Sequence, residues 1–374
     1  MITMKAVSPV HVGTGIEYSP IEFVLRRDKG GKDWLWRLDQ SRFLSALSES
    51  KQNQFIAEVD EEGFDLNRFT QGMDLFPLRR YIVRDFSETG RIPAIRECIK
   101  TADRAYIPGS SLKGVIRTAL LWSVAKDDDR FIGAIQAEAR DRINRKWIGK
   151  RYVDAVFQCG ERDNDPKYDL LKFLMVSDFM PNATNNIRLD RVRTLSLTRT
   201  GTLAPKPFEI IIEAVIGSFS GSVGISDQIT AAVRNREYRP LRQKLALLGM
   251  EDPEDRDLVV PHLKAVMRDF NRWCFERERR LTEGSGNPAI VKEMDRIGGL
   301  LDQKDLIRVG FGVGTTYQTL FGLIEENDPD LAAQIASQIG RHRRTVGPGG
   351  HLDPPYPKTV EQTAKGHSLG WLEW

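Results

Sequence analysis

Residues 105–120, Ala105-Tyr106-Ile107-Pro108-Gly109-Ser110-Ser111-Leu112-Lys113-Gly114-Val115-Ile116-Arg117-Thr118-Ala119-Leu120, carry most of what this chain reveals about itself. A short strand meets a Pro-Gly turn, and Ser110 or Ser111 can cap a helix whose Leu112, Val115, Ile116, Ala119 and Leu120 share one face. Unpaired backbone N–H groups and the positive end of the helix dipole would then point into the turn, a setting that suits an anion. Lys113 and Arg117 stand four residues apart, hence on one face, and can serve the same phosphate or the next one. Gly109 allows close backbone approach, and Gly114 leaves room to pack on the helix. The same residues also fit an ordinary capped helix with two solvated cations.

Two further glycine turns flank this stretch. Toward the C-terminus, Val309-Gly310-Phe311-Gly312-Val313-Gly314 follows a strand candidate and precedes a helix. Glycine at every second position leaves one edge free of side chains, so a sugar-phosphate chain can lie on the backbone, although a bulged strand-to-helix turn fits as well. Neither a dinucleotide fingerprint nor a Walker loop is present, because Thr315 stands where the former needs glycine and no Gly-Lys-Ser/Thr follows. Toward the N-terminus, Ser8-Pro9-Val10-His11-Val12-Gly13-Thr14-Gly15 closes the first strand. His11 can act as a base toward a ribose 2′-hydroxyl, bond a phosphate, or hold the loop, and no second acid-base group stands at a defined spacing.

The chain has 374 residues with 55 Lys+Arg against 52 Asp+Glu, which excludes a histone-like or arm-like basic protein but not a local basic stripe. A hydrophobic share of 40% is that of a folded chain, and the length suits two domains. Even the most apolar run, Phe208–Ile216, holds Glu209 and Glu213, so no membrane span is expected. The start lacks a signal peptide's apolar stretch, and Cys98, Cys159 and Cys274 read as reduced core cysteines; both point to the cytoplasm. The histidines lack metal-ligand spacing, Asp127-Asp128-Asp129 reads as a solvated helix end, and neither metal nor cofactor is expected. No serine elbow or Cys-His nucleophile signature is present.

Basic residues nevertheless cluster. Between Ile187 and Lys206, Arg188, Arg191, Arg193, Arg199 and Lys206 face the single Asp190, and a strand would place Arg191 and Arg193 on one side. Arg234, Arg236, Arg239, Arg242 and Lys244 form a second group, and Arg341-His342-Arg343-Arg344 a third. Each alone reads as a solvated face; together with the glycine turns they favour a single-stranded polynucleotide.

Strands are expected at 2–7, 21–26, 34–38, 80–84, 172–176, 188–198, 208–219 and 306–309, with a last one at 370–372. Helices are expected at 40–49, 130–146, 228–235, 257–280, 289–301, 316–325 and 329–339, beside the one opened by Ser110 or Ser111. The interleaving gives an α+β chain of two related modules, 1–200 and 201–374.

The three glycine-bearing segments, in this order and at this spacing, with Pro357-Lys358-Thr359 and Leu369-Gly370-Trp371-Leu372 after them, resemble the signatures of the RAMP proteins of CRISPR-Cas systems, most nearly the family of fifth Csm subunits of type III-A effector complexes. The resemblance implies two ferredoxin-like, RRM-type modules with helical insertions. It implies a non-catalytic, cytoplasmic subunit that binds the crRNA guide backbone, caps the complex at the guide's 3′ end, contributes to crRNA maturation and antiviral defence, and contacts neighbouring Csm filament subunits, with target RNA as a further partner. It places His11, Gly13, Gly15, Gly109, Ser110, Ser111, Lys113, Arg117, Gly310, Gly312 and Gly314 against RNA, and the strand arginines Arg188, Arg191 and Arg193 would join them. The third turn lacks the basic residue usual after its last glycine, so the C-terminal module is expected to pack rather than hold phosphate. The competing expectation is a metal-independent endoribonuclease with His11 as base.

Overall fold

A computed structural model of the chain describes residues 1–88, 92–140, 148–160, 165–184, 186–198, 200–283, 286–339 and 343–374. Arg199, Arg341, His342, the part of the 130–146 helix beyond Arg140, and parts of the loops at 160–166 and 283–288 lie outside the described residues.

Twelve strands form one mixed sheet: β1 (Ile2–Val10), β2 (Gly13–Tyr18), β3 (Phe23–Arg27), β4 (Asp33–Leu38), β5 (Arg79–Asp85), β6 (Ile95–Cys98), β7 (Met180–Pro181), β8 (Ile187–Leu197), β9 (Leu203–Gly221), β10 (Leu306–Arg308), β11 (Thr359–Thr363) and β12 (Trp371–Glu373). Its spine runs β10-β12-β1-β9-β8-β5-β4-β3. The chain is therefore α+β, as expected. The last strand inserts beside the first, Ala6 opposite Leu372, so both ends of the chain build one layer. Position 200 falls at the tip of the β8–β9 hairpin, which pairs from Ile187–Val215 to Leu197–Leu203.

Alternation along β9 explains its central place. Ile211, Val215 and Phe219 enter the main core on one face, while Ile210, Ile212 and Ala214 meet Val192 and Leu369 on the other. The main core also takes the apolar stripes of the helices Gly109–Ala125 and Val259–Glu283, which meet where Trp122 lies 5.8 Å from the Phe270 ring. A separate small core under residues 39–78 gathers Phe43, Phe55 and Phe69 against Val24 and Leu38.

Both outer edges of the spine are closed by asparagine. The Leu25 N–H of β3 donates to Asn67 Oδ1 at 2.7 Å, and the Arg308 N–H of β10 donates to the buried Asn271 Oδ1 at 3.1 Å. An edge amide that already has a side-chain acceptor resists pairing with another strand.

Several expected elements differ. The 40–49 helix stops at Ala46, because Ser48 accepts the Lys51 N–H and caps a new helix, Glu49–Glu58. The 316–325 helix is two, Gly314–Gln318 and Phe321–Asn327, with Thr319 Oγ1 accepting the Phe321 N–H at the break. Residues 170–173 form a short 3-10 turn capped by Asp169, leaving only Leu174–Val176 as strand. Asp128 is not simply solvated: it accepts from Arg130 and from the Tyr152 hydroxyl at 3.0 Å.

Glu293, buried on the helix Pro288–Leu301, ties the C-terminal tail down. Its carboxylate accepts from Arg296 at 2.7 and 2.8 Å and from the Ser368 N–H and hydroxyl at 2.9 Å, with His367 at 3.5 Å. Burial alone would raise its pKa, but Arg296, His367 and Ser368 outweigh it and hold the group at about 2, against an ordinary 4.5. Above about pH 4.5 the contribution is fully present, and it is lost as pH falls toward 2, since the unfolded chain takes up the proton first. The difference is worth at most about 3 kcal/mol. In urea titrations, wild type should exceed Glu293→Gln by about that margin at pH 7, with the gap closing between pH 4.5 and 2; a gap independent of pH would refute this.

Candidate functional site

The first and third glycine turns are one construction. Gly310, Gly312 and Gly314 have φ of +91°, +80° and +68°, the left-handed region that explains glycine at alternate positions. A Cβ on Gly310 would stand 2.4 Å from the His11 carbonyl oxygen, which instead accepts the Phe311 N–H at 2.7 Å. The Phe311 ring meets the His11 imidazole edge-on at 5.9 Å, and the Arg96 guanidinium lies 5.4 Å from that ring. Gly312 packs against Leu369; Gly314 and Gly15 are exposed with open space around them, whereas Gly13 is exposed but backed by the His11 ring.

His11 itself is only 3% exposed. Its Nδ1 donates to the Glu213 carbonyl at 2.6 Å, which fixes the tautomer, and burial lowers its pKa, so the ring is neutral. Nε2 faces Gly13, where a Cβ would come within 2.8 Å. Of the three roles the sequence left open for His11, this geometry favours holding the loop: the buried ring is a spacer between the two turns.

Beneath it lies a buried carboxylate. Glu213 Oε1 accepts from the hydroxyls of Tyr18 and Tyr81, each at 2.9 Å, and Oε2 accepts the Cys98 N–H at 3.0 Å and an ion pair from Lys100. Lys100, itself 6% exposed at the side chain, loses solvation, yet Glu213 raises its pKa and keeps it charged. One side chain of β9 therefore fastens β2, β5 and β6 under the N-terminal signature.

The middle signature is built differently from its sequence reading. Ser110 and Ser111 do not cap the helix; they lie inside it, after Pro108 as N-cap. The Gly109 N–H is taken by Asp178 Oδ1 at 2.9 Å, and a Cβ on Gly109 would strike the Val176 carbonyl at 2.3 Å. Gly109 is thus buried against 176–178, and the protein's own carboxylate occupies part of the helix's positive end. Arg117 pairs with Asp169 at 2.8 Å and stands 4.2 Å over the Phe157 ring. Desolvation lowers the pKa of half-buried Lys113, with Asp169 opposing. Ser110 remains exposed beside them.

The strand arginines are also paired. Arg188 grips Asp190 at 2.6 and 2.9 Å, whereas Arg191 and Arg193 share Glu209 at 3.2 and 2.6 Å; Arg193 lies opposite Glu209 in the hairpin register. Hydrogen bonding from Arg193 first, then the neighbouring positive charges, keeps Glu209 ionised below the usual carboxylate range. The basic run is therefore much less positive than its composition. Lys244 likewise spends its charge on the Ala155 and Gln158 carbonyls at 2.5 and 2.6 Å.

A cavity of about 650 Å³ opens beside the third turn, under the extended tail at 351–361. Arg277 and Arg280 line it, as do Glu278, Glu325 and Glu361. Burial pushes the Glu361 carboxyl upward. Two cations against three carboxylates make a poor phosphate pocket and a better packing groove.

Sequence reasoning missed Glu213, Lys100, Asp178 and Glu209. Only Glu213 left a signal: a carboxylate inside the run Phe208–Ile216 must find a partner if the run is buried. Among the described residues no group of three or more His, Cys, Asp or Glu is placed to hold a metal, and no helix is long and apolar enough to cross a membrane. Cys98, Cys159 and Cys274 are buried and unbridged.

A profile of the RAMP superfamily matches residues 3–355. The chain is 22% identical to the "CRISPR system Cms protein Csm5" of Methanocaldococcus jannaschii, over all of this chain and 88% of that protein. Among solved structures it is similar to a chain of the "Csm-crRNA-target RNA ternary complex in type III-A CRISPR-Cas system", with TM-score 0.75, 22% identity and coverage of 99% of this chain and 98% of that one. It is also similar to T. onnurineus Csm5, with TM-score 0.65, 19% identity and full coverage of both chains. At these identities the structural likenesses speak for the fold.

Proposed function

The chain belongs to the RAMP superfamily, and from that premise we propose that it is the fifth subunit of a type III-A Csm effector complex, a non-catalytic protein that holds the crRNA backbone. In this reading it is built of two ferredoxin-like modules, caps the complex at the guide's 3′ end, contributes to crRNA maturation and antiviral defence, and contacts neighbouring Csm subunits. The observation that carries it is the end-to-end likeness to a Csm5 protein, with the signature turns in place and locked to one another through His11 and Phe311.

RNA contact is assigned to what those turns leave free. Gly15 and Gly314 offer open backbone, Gly13 is exposed over the His11 ring, and Ser110, Lys113 and Arg117 border one helix start. Contacts of this kind follow phosphates and sugars without reading bases, as one protein serving many guides requires. The buried, neutral His11 counts against the endoribonuclease reading.

The test is the salt dependence of guide binding. Replacing Lys113 and Arg117 together by alanine should lower the slope of log K against log salt by about one, because Asp169 already offsets part of their charge. An unchanged slope would remove this helix from the interface. Cleavage of repeat-containing RNA in EDTA, abolished by His11→Ala, would overturn the non-catalytic reading.

A further inference from the structure

A half-open part of the sheet carries a cationic and aromatic row that none of the glycine signatures includes. Arg26, Trp34, Arg84 and Arg188 are register neighbours on β3, β4, β5 and β8, so all four stand on one face. Farther along this face, Val24 and Trp36 are covered by the small helical core, and Val192, Ile212 and Ala214 by Leu369 of the tail. The row lies between these two covers, with Trp34, Arg84 and Arg188 all only partly buried.

Phe86, two residues after Arg84 and on the same face, is ringed by cations. Arg84 lies 5.3 Å, Arg188 5.0 Å and Lys365 5.1 Å from its ring, and Arg84 lies 5.5 Å from the Trp34 ring. Arg188 has Asp190 and Lys365 has Glu88. Arg84 differs: among the described residues it forms no ion pair, and its Nε is shut from solvent without an acceptor. A guanidinium poised between two aromatic rings, in the field of Asp33 but with no carboxylate in ion-pair contact, has the chemistry to take a phosphate while a base lies on the neighbouring ring.

Building on the RNA-binding reading above, the geometry points to a second single-stranded RNA contact on this row, separate from the glycine turns, in which Trp34 and Phe86 stack bases and Arg84, Arg188 and Lys365 hold the intervening phosphates. Four strands at about 4.8 Å give a row about 14 Å long, a span suited to two or three bases on an open sheet. Stacking on π-faces tolerates any base, as a variable guide or its target demands.

The experiment measures binding of a fluorescein-labelled oligouridylate of about 12 nucleotides to the full chain, across a salt series. Arg84→Gln with Lys365→Gln should weaken binding at least tenfold and lower the salt slope by about one to two. Trp34→Leu with Phe86→Leu should weaken binding about tenfold with the slope unchanged, since stacking carries no counterion release. Thermal melts matching wild type exclude misfolding, and ultraviolet crosslinking of 4-thiouridine RNA to peptides containing Trp34 or Phe86 reads the contact without any substitution. Undiminished binding by both double variants while wild type binds, or retained RNA but lost copurification of a neighbouring subunit, overturns the row and leaves the parent reading standing. Failure of the wild-type chain to bind RNA overturns both.

Discussion

Glu213→Ala should cost about 3–5 kcal/mol, because it takes the nearer of two carboxylates from a buried ammonium and leaves it only Glu97, at 3.5 Å. Lys100 is 6% exposed at its side chain and has Glu213 as its closest carboxylate, and the Tyr18 and Tyr81 hydroxyls and the Cys98 N–H lose the same acceptor. A loss of this size is a large part of the 5–15 kcal/mol that typically holds a domain together. Lysine can shed its proton, so the variant should regain stability as pH rises: its folded pKa falls below the unfolded value, and the folded state then binds fewer protons. The measurement is the urea midpoint at pH 7 and at about pH 9.5, for Glu213→Ala and for Glu213→Leu combined with Lys100→Met. The double variant should be the more stable at pH 7, as removing both charges leaves neither uncompensated. A midpoint for Glu213→Ala equal to wild type would show that the hub carries no weight.

How much of this was visible beforehand depended on distance along the chain. The stripe Leu112, Ile116, Ala119 and Leu120 was legible because helical periodicity is a local property, and these four are indeed buried together. A strand over 208–219 was legible for the same reason, although not its extension back to Leu203. The β2 strand was not, since Gly13-Thr14-Gly15-Ile16-Glu17 is exposed and lacks an apolar alternation. The site suffered most. An arginine-rich strand looks basic until Glu209 arrives across the hairpin, and a serine-opened helix looks free until Asp178 arrives from 69 residues away. The half-open row was hidden too, as Arg84 and Arg188 are 104 positions apart and become neighbours only through the parallel pairing of β5 with β8. Residue type announced which groups carried charge; only tertiary pairing decided which charge was already spent.

The same distinction governs Arg308, the basic residue that immediately precedes the third glycine turn at the end of β10. Its side chain is fully buried, and it serves the fold rather than a ligand. Nη1 donates to Glu278 at 2.5 Å, Nε to the Leu369 carbonyl at 2.9 Å and Nη2 to the Gly312 carbonyl at 3.4 Å, while Tyr317 also donates to Glu278 at 2.9 Å. The guanidinium stands 4.6 Å from the Tyr317 ring and 5.3 Å from Trp371, so it joins the glycine turn, the last strand and the long helix. Burial pulls its pKa down, but Glu278 and Tyr317 more than offset this, and the group stays charged. Glu278→Ala should therefore cost about 3–5 kcal/mol, with no relief at higher pH, because a guanidinium does not give up its proton. Urea midpoints at pH 7 and about pH 9.5 distinguish this from Glu213→Ala, whose deficit shrinks with pH. Arg308→Leu with Glu278→Leu should recover much of the loss while still freeing Gly312 from its tether, and guide binding by that folded variant then reports whether the tether matters. If Glu278→Ala melts like wild type, or its deficit shrinks with pH as that of Glu213→Ala does, Arg308 is not the fixed charge on which the third turn is hung.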